Sequence, residues 1–574
     1  MSDFRGPREL RVSIPDNLTI PQFVFDYTSF LRPQRPTNVP WLIQDHTGKQ
    51  VFTEEIRHRT QNLTKWLNAN WKLRENDVVA LYSPNDTDYP LCIWAVHKLG
   101  GILTPANPSY TVQELIHQLE ASKATALIAH SVSLDVALSA AKAVGIPHSR
   151  IIYLAPSAAS KRQHPGLLSI EDVVSLGRAE KVGFLERRLL PGEAKTKIAF
   201  LSFSSGTTGT PKGVMISHYS VIANVLQMAD HQQLDDPHIR VMGPGEVCAA
   251  VLPFFHIYGL IVIMHFCLFA GNALVVFPKF NFVEFLKSIE RYKISIIVPP
   301  QVVLLCKHPD SKNHDLRSVK FIMCGAAPLS HELTYEIWKV FPTATIGQGF
   351  GMTETATTVA MLSPTVKRAT VGSAGYLVPG IRAKVAKPDG SLCKEGEVGE
   401  LVVTGPSMAL GYLNNEKATK ETFADGWVRT GDQVYIKDHQ VFIVDRIKEL
   451  IKVRGFQVAP AELEGHLHSH PAVNDVCVIG IPDDYNGELP MAFVVLKASH
   501  AERAAGSPEK TAQLKAELIK FVADNKVYYK HLKRGVEFLD AIPKNPSGKM
   551  LRRVLRDSAI EKMKKESSAA VAKL

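Results

Sequence analysis

Residues 198–213 read IAFLSFSSGTTGTPKG, an apolar run passing directly into a Gly/Ser/Thr stretch. Ile198–Leu201 predicts a buried strand. In the stretch that follows, Gly206, Gly209 and Gly213 let backbone N–H groups approach an anion closely. The hydroxyls of Ser204, Ser205, Thr207, Thr208 and Thr210 add donors, and Lys212 adds charge. A strand feeding such a loop is a phosphate cradle of the α/β class. The Gly-Lys-Ser/Thr ending of a Walker A loop is missing. A flexible linker shares this composition, but the preceding strand and the placed Pro211-Lys212 argue against one.

Outward from this loop, short apolar runs alternate with helical patterns. Strands are expected at Val78–Tyr82, Ala126–Ala129, Ile151–Leu154, Ala273–Phe277, Ile294–Val298 and Val319–Met323, and helices at Thr111–Ala121 and Phe282–Tyr292. This alternation predicts α/β layers with largely parallel sheets. After about residue 370, glycines punctuate short alternating segments (RAKVAK, ELVVTG), which predicts a small β-rich lobe. A boundary is expected near Asp445–Lys448, dividing the chain into 1–445 and 446–574. The C-terminal part should hold strands near Val476–Ile479 and Met491–Leu496, a polar link over Ala498–Lys510, a helix near Thr511–Asn525 and a charged tail.

The 574 residues exceed one compact core, since domains hold roughly 100–200 residues. With 45% hydrophobic and 21% charged residues the composition is globular. The net charge of +10 suits small anions such as nucleotides and equally a solvated basic face, and does not by itself argue for nucleic acid. Seven cysteines without a C-x-x-C pair point to a reducing compartment without disulfides or structural zinc. The start, MSDFRGPREL, has no signal-peptide core. Gly259–Phe277 approaches the length of a membrane span, but His265 and Gly271-Asn272 make it a buried helix, a turn and a short buried strand.

Four further motifs follow the loop in order: Gln348-Gly349-Phe350-Gly351-Met352-Thr353-Glu354, Arg429-Thr430-Gly431-Asp432, Asp445–Lys452 (DRIKELIK), and Pro543–Lys549 (PKNPSGK). Together with the loop they resemble the signatures of the adenylate-forming superfamily. Pro253–Gly259 (PFFHIYG) and Gly455–Glu464 (GFQVAPAELE) look most like 4-coumarate:CoA ligases and their relatives. The resemblance implies a large N-terminal body with two α/β subdomains and a β-rich lobe, plus a small mobile α+β C-terminal domain. It implies an ATP-dependent acid:CoA ligase that forms an acyl-adenylate and pyrophosphate, then acyl-CoA and AMP. Its co-substrates would be ATP, coenzyme A and a carboxylic acid, with Mg²⁺.

The implied roles make physical sense. The first transition state gathers negative charge, so positioning and electrostatic stabilisation dominate. The nucleotide would be held by Ser204–Lys212 (Pro211 among them) and by Gln348, Gly349, Phe350, Gly351, Met352 and Thr353. Asp432 can accept from ribose hydroxyls and Arg446 can donate to the ribose end. Glu354, with Thr208, would hold Mg²⁺ as hard oxygen donors. Lys549 is a compact charge able to sit between carboxylate and α-phosphate. His256 matches a histidine gating the passage to the CoA tunnel; Lys452 and Gln457 match residues that act after a turn about the hinge, Lys448.

The acyl pocket implied by the resemblance is lined by Phe255, Gly259, Gly325, Ala326, Gly351, Thr357 and Thr358. Thr355-Ala356-Thr357-Thr358 lacks the usual Gly-Pro after Glu354, which points away from 4-coumarate towards another aryl or a medium-chain acid. The motifs fix adenylation more firmly than the acceptor, so a luciferase-like or stand-alone adenylating enzyme is the alternative. Ala572-Lys573-Leu574 resembles an S-K-L peroxisomal address, implying an import receptor as partner and a peroxisomal, otherwise cytoplasmic, location.

Overall fold

The computed structural model describes residues 3–571 except 205–210, 299–301, 326–328, 330, 455, 484, 506 and 546–547. The terminal Ala572-Lys573-Leu574 therefore lies outside the described residues.

Three sheets organise the chain. In the first, the strands Ile198–Ser204, Ile102–Ala106, Val78–Tyr82, Ala124–His130, Ile151–Leu154 and Leu168–Ser169 run parallel in that spatial order. Val78–Tyr82 and Ile102–Ala106 are buried throughout, as expected of parallel strands covered on both faces. The helix Val112–Ser122 starts on a capping box. Glu114 Oε2 accepts from the Thr111 amide (2.8 Å) while Thr111 Oγ1 accepts from the Glu114 amide (3.3 Å).

The second sheet changes character along its width. Leu42–Gln44, Ala273–Val276, Val247–Ala250, Ile296–Ile297, Phe321–Cys324 and Thr345–Met352 form a parallel half. Thr345–Met352 pairs in parallel through Thr345–Gln348 and antiparallel, with Thr357–Met361, through Gly349–Met352. The β-rich lobe expected after residue 370 (Ser373–Leu377, Gln440–Arg446, Trp427–Lys437, Gly399–Thr404, Arg382–Ala386) continues that antiparallel edge. The segment from Gln348 to Glu354 thus lies where the sheet switches direction, the kind of place where open α/β sheets leave a crevice.

The third sheet, of five strands, is built from residues 451–538, with Val473–Asp483 and Gly487–Leu496 as its long hairpin. The strand Gln440–Arg446 carries Asp445 and Arg446 into the lobe, and the chain leaves it through a turn at residues 447–449. One expectation needs correction. The polar link over Ala498–Lys510 holds a helix, Ala498–Ala505, before the helix Pro508–Asn525. Four alanines in ASHAERAA outweigh its polarity.

The apolar stretch 259–277 folds as the buried helix Tyr258–Phe266, wound in wide π turns, then Cys267–Phe269, a turn at Gly271 and the strand Ala273–Val276. No helix among the described residues is long and apolar enough to cross a membrane.

Candidate active site

A cavity of about 720 Å³ is lined from both large sheets and from the C-terminal unit. At one end, Ile198–Ser204 and Lys212–Ser217 pair antiparallel with Ser204 opposite Lys212. Ser205, Gly206, Thr207, Thr208, Gly209 and Thr210 lie outside the described residues, while Ser204, Pro211 and Lys212 line the cavity. Lys212 Nζ stands 5.1 Å from the centroid of the Tyr412 ring, and the Tyr412 hydroxyl donates to Glu354 Oε1 at 2.7 Å. Glu354 is buried.

The wall runs on through Gly349, Phe350, Gly351, Met352 and Thr353. Gly351 must be glycine, because a Cβ there would lie 1.6 Å from the Thr357 carbonyl oxygen. Gln348 sits behind this wall, its side-chain oxygen accepting from the Leu329 amide (2.8 Å) and its NH₂ donating to the Ser373 carbonyl (3.4 Å).

Asp432 and Arg446 are register partners on neighbouring strands, with Arg446 Nε 3.3 Å from Asp432 Oδ1. Among the described residues, Asp432 Oδ2 is buried without a partner. Burial pushes the Asp432 carboxyl up to about 6, against the opposing pull of Arg446 and Lys549. An unsatisfied buried acceptor costs about 1–3 kcal/mol, which a ligand hydroxyl would recover.

Lys549 reaches the same cavity from a tight loop. Its amide donates to Asn545 Oδ1 (2.8 Å), its carbonyl accepts from the Asn545 amide (2.9 Å), and Gly548 closes the turn at φ +85°. Burial, then the neighbouring Arg446 charge, lowers the Lys549 ammonium to about 8. His256 also lines the cavity; burial, helped by Lys549, lowers its imidazolium to about 4, so the ring is neutral near pH 7. Its loop is held by a residue with no motif of its own. Asn85 Nδ2 donates to the carbonyls of Ala250 (3.0 Å) and Leu252 (2.9 Å), and Asn85 Oδ1 accepts from the Phe254 amide (2.7 Å).

Beyond His256 the wall is formed by Phe255, Ile257, Tyr258, Met323, Gly325, Thr357, Thr358 and Ala360. Ala356 and Thr357 take positive φ (+48° and +98°), which is strained for a β-branched residue. The strand after them is held by buried Asn224, whose Oδ1 accepts from the Thr358 amide (3.0 Å) and whose Nδ2 donates to the Thr358 carbonyl (2.8 Å).

Not every expected residue converges here. Gly259 packs inside its helix, where a Cβ would fall 2.0 Å from the Pro253 carbonyl oxygen, so it serves close packing rather than the wall. Ala326 lies outside the described residues. Lys448 is exposed at the rim. Lys452 and Gln457 pair across a hairpin away from the cavity, with Gln457 Oε1 accepting from Gln433 Nε2 at 3.2 Å. Asn85, Asn224 and Tyr412 escaped the sequence reading. Their hydrogen-bond partners lie far away in sequence, so nothing beside them in the chain marks them.

Hard oxygen at Glu354 and charge at Lys212 and Lys549 suit a metal-bound nucleoside phosphate beside an apolar chamber, whereas Asp432 is buried against Arg446 and does not itself line the cavity. The family model described as AMP-binding enzyme matches residues 32–413, and the model described as AMP-binding enzyme C-terminal domain matches residues 462–549. Acyl-CoA ligase AFT1-1 of Alternaria alternata is 35% identical over 95% of this chain and 95% of its own length. 4-Coumarate–CoA ligase 5 of Oryza sativa subsp. japonica is 34% identical over 95% of each chain. In three dimensions the chain superposes on the anthranilate CoA ligase AuaEII, solved with anthranoyl-AMP, at a TM-score of 0.80 and 22% identity. That match covers 96% of this chain and 99% of that one, and bears on the fold alone.

Proposed function

This chain belongs to the AMP-binding enzyme family, and we propose that it acts as an ATP-dependent acid:CoA ligase on an apolar aryl or medium-chain acid. One observation carries the reading: Lys549, His256, Arg446 and Glu354 border a single cavity that continues into an apolar chamber.

In the first step a carboxylate oxygen attacks the α-phosphorus, the bond to pyrophosphate breaks, and an acyl-adenylate forms. Lys549 would neutralise charge between carboxylate and α-phosphate, and Lys212 would meet the departing phosphates. Asp432 Oδ2 would accept from the ribose and Arg446 would orient it. Mg²⁺ fits the hard oxygen of Glu354, where it would screen the phosphate charge. In the second step the CoA sulfur attacks the acyl carbon and AMP leaves. Neutral His256, on the cavity wall next to Phe255 and Ile257, would serve as a gate for the incoming thiol. Lys452 and Gln457 would join this step only after the C-terminal unit, residues 446–574, turns about Lys448.

The chamber supports the choice of acid. Thr357 Oγ1 donates to the Ile257 carbonyl (3.2 Å) and Thr358 Oγ1 to Met228 Sδ (3.1 Å), so both hydroxyls are engaged by protein. Phe255, Ile257, Met323, Phe350 and Ala360 supply the remaining apolar surface. With both threonine protons committed to protein, neither hydroxyl is free to donate to a ring hydroxyl like that of 4-coumarate, and little favours that group over a plain ring. Pyrophosphate release across short, medium and long fatty acids, benzoates, phenylacetates and cinnamates, with and without CoA, tests this. A preference for 4-coumarate over cinnamate would overturn the choice of acid, and AMP release indifferent to CoA would overturn the acceptor.

We also propose a peroxisomal location through Ala572-Lys573-Leu574 and an import receptor that reads it. The support is the S-K-L likeness. A fluorescent fusion should leave peroxisomes when these three residues are removed; a cytosolic signal both before and after would dispose of the address.

A further inference from the structure

Tyr412 joins Lys212 and Glu354, two charged groups on the same stretch of the cavity wall, and it does so from outside the motifs named above. Its short strand, Gly411–Tyr412, pairs antiparallel with Lys212–Ser217, with Tyr412 opposite Val214. The flanking backbone continues the attachment: the Leu410 amide donates to Met215, Leu413 to Gly213 and Ala409 to the carbonyl of Glu354. The ring itself is fixed. Phe423 packs edge-on at 5.7 Å, and the Tyr412 amide donates to Thr419 Oγ1 at 3.0 Å.

From this fixed ring two contacts reach the cavity. The hydroxyl donates to Glu354 Oε1 at 2.7 Å, and the ring face lies 5.1 Å from Lys212 Nζ. Burial, together with the Glu354 charge, raises the phenol well above its ordinary value, so it remains a neutral donor. A hydrogen bond to one carboxylate oxygen selects a rotamer and leaves the second oxygen for a cation, as outer-shell partners do for metal ligands. A cation over an aromatic face is attracted by the ring quadrupole, which holds a lysine in place without neutralising it. An ion pair between Lys212 and Glu354 would instead consume both charges.

We propose that Tyr412 is a positioning residue for the first half-reaction, setting Glu354 for Mg²⁺ through its hydroxyl and Lys212 for phosphate through its ring. The proposal rests on the adenylation reading above. It separates the two functions of one side chain: the hydroxyl governs the metal, the ring governs the lysine.

Tyr412→Phe removes the hydroxyl and keeps the ring; Tyr412→Ala removes both. Calorimetric titration of ATP at a series of MgCl₂ concentrations, and without magnesium, gives a readout independent of turnover. For Tyr412→Phe we expect magnesium-free ATP affinity unchanged, while the MgCl₂ concentration needed for tight binding and for half-maximal ATP–pyrophosphate exchange rises about tenfold. Thioester formation from a synthetic acyl-adenylate should stay at the wild-type rate. Tyr412→Ala should in addition weaken magnesium-free ATP binding. Wild-type magnesium dependence in Tyr412→Phe, or an equal fall of both half-reactions, would overturn the proposal. Should Tyr412→Ala fail to fold, the Tyr412→Phe titration decides alone. Absence of acid-dependent exchange in the wild type would sink the adenylation reading instead, and leave the ATP titrations to judge Tyr412.

Discussion

The Arg446 guanidinium lies 3.3 Å from Asp432 Oδ1 across two paired strands, and the second carboxylate oxygen of Asp432 is buried with nothing to accept from among the described residues. Raised to about 6, this carboxyl is charged at pH 7 and protonated below 6.

Adenosine affinity should therefore fall as pH drops through about 6, because a protonated Asp432 accepts poorly from ribose hydroxyls. Adenosine is the probe because it carries no titrating phosphate. The sign for stability is opposite. A carboxyl raised above its unfolded value burdens the fold above pH 6, and that burden lifts as pH falls towards 4. Equilibrium binding from pH 5 to 8 checks this; equal affinities at pH 5 and pH 7 in the wild type would refute it.

Lys549→Ala should lower adenylation by about 10²–10³-fold while sparing thioester formation from supplied acyl-adenylate. In the wild type, adenylation should fall as pH rises through about 8, where the ammonium loses its charge. A lysine lowered below its unfolded value costs stability when charged. Lys549→Met should therefore raise Tm at pH 7, with the gain shrinking as pH rises from 8 towards the lysine's ordinary value. Equal loss in both half-reactions would show that Lys549 is not confined to the first.

Lys448→Pro tests the two-arrangement mechanism. Lys549 reaches the cavity while Lys452 and Gln457 do not, so the second-step roles proposed for these two require a different placement of the C-terminal unit. Proline fixes φ near about −65° and cannot absorb a hinge rotation. Adenylate formation should survive within about tenfold and thioester formation collapse, the exposed position leaving the protein folded. An intact second half-reaction in this variant would end the hinge hypothesis.

Asn85→Ala should strip the Pro253–His256 loop of its anchor, leaving the Leu252 carbonyl and the Phe254 amide unpaired in a buried setting, while the Ala250 carbonyl keeps its bond from the Phe277 amide. At about 1–3 kcal/mol for each orphaned group, denaturant unfolding should show a loss of at least about 2 kcal/mol. At temperatures where it stays folded, the CoA-dependent step should suffer more than ATP–pyrophosphate exchange, since His256 rides on this loop. A loss under about 0.5 kcal/mol would mean the anchor is dispensable.

Much of this was legible from residues near one another in the chain. Strands such as Val78–Tyr82 announce themselves because burial on both faces demands continuous apolar runs. The functional groups of Glu354, Lys212 and Lys549, which the structure brings to one cavity, can be named from the sequence because they are properties of single side chains. The helix Ala498–Ala505 is hidden in the sequence because its polar residues mask the helix-forming alanines between them.

What the tertiary structure alone decided is which distant residues meet. Asn85 lies 169 positions from Phe254, and Tyr412 lies 58 from Glu354. Nothing local marks either, since an asparagine after proline satisfies a turn and a tyrosine after glycine satisfies a strand. The parallel-to-antiparallel switch within Thr345–Met352 likewise depends on two partners, Phe321–Cys324 and Thr357–Met361, that only the folded sheet brings to its sides. Sequence fixes the groups available to a reaction, because those are properties of single side chains. Their orientation rests on hydrogen bonds and packing between chain-distant segments, and those exist only once the sheets have formed.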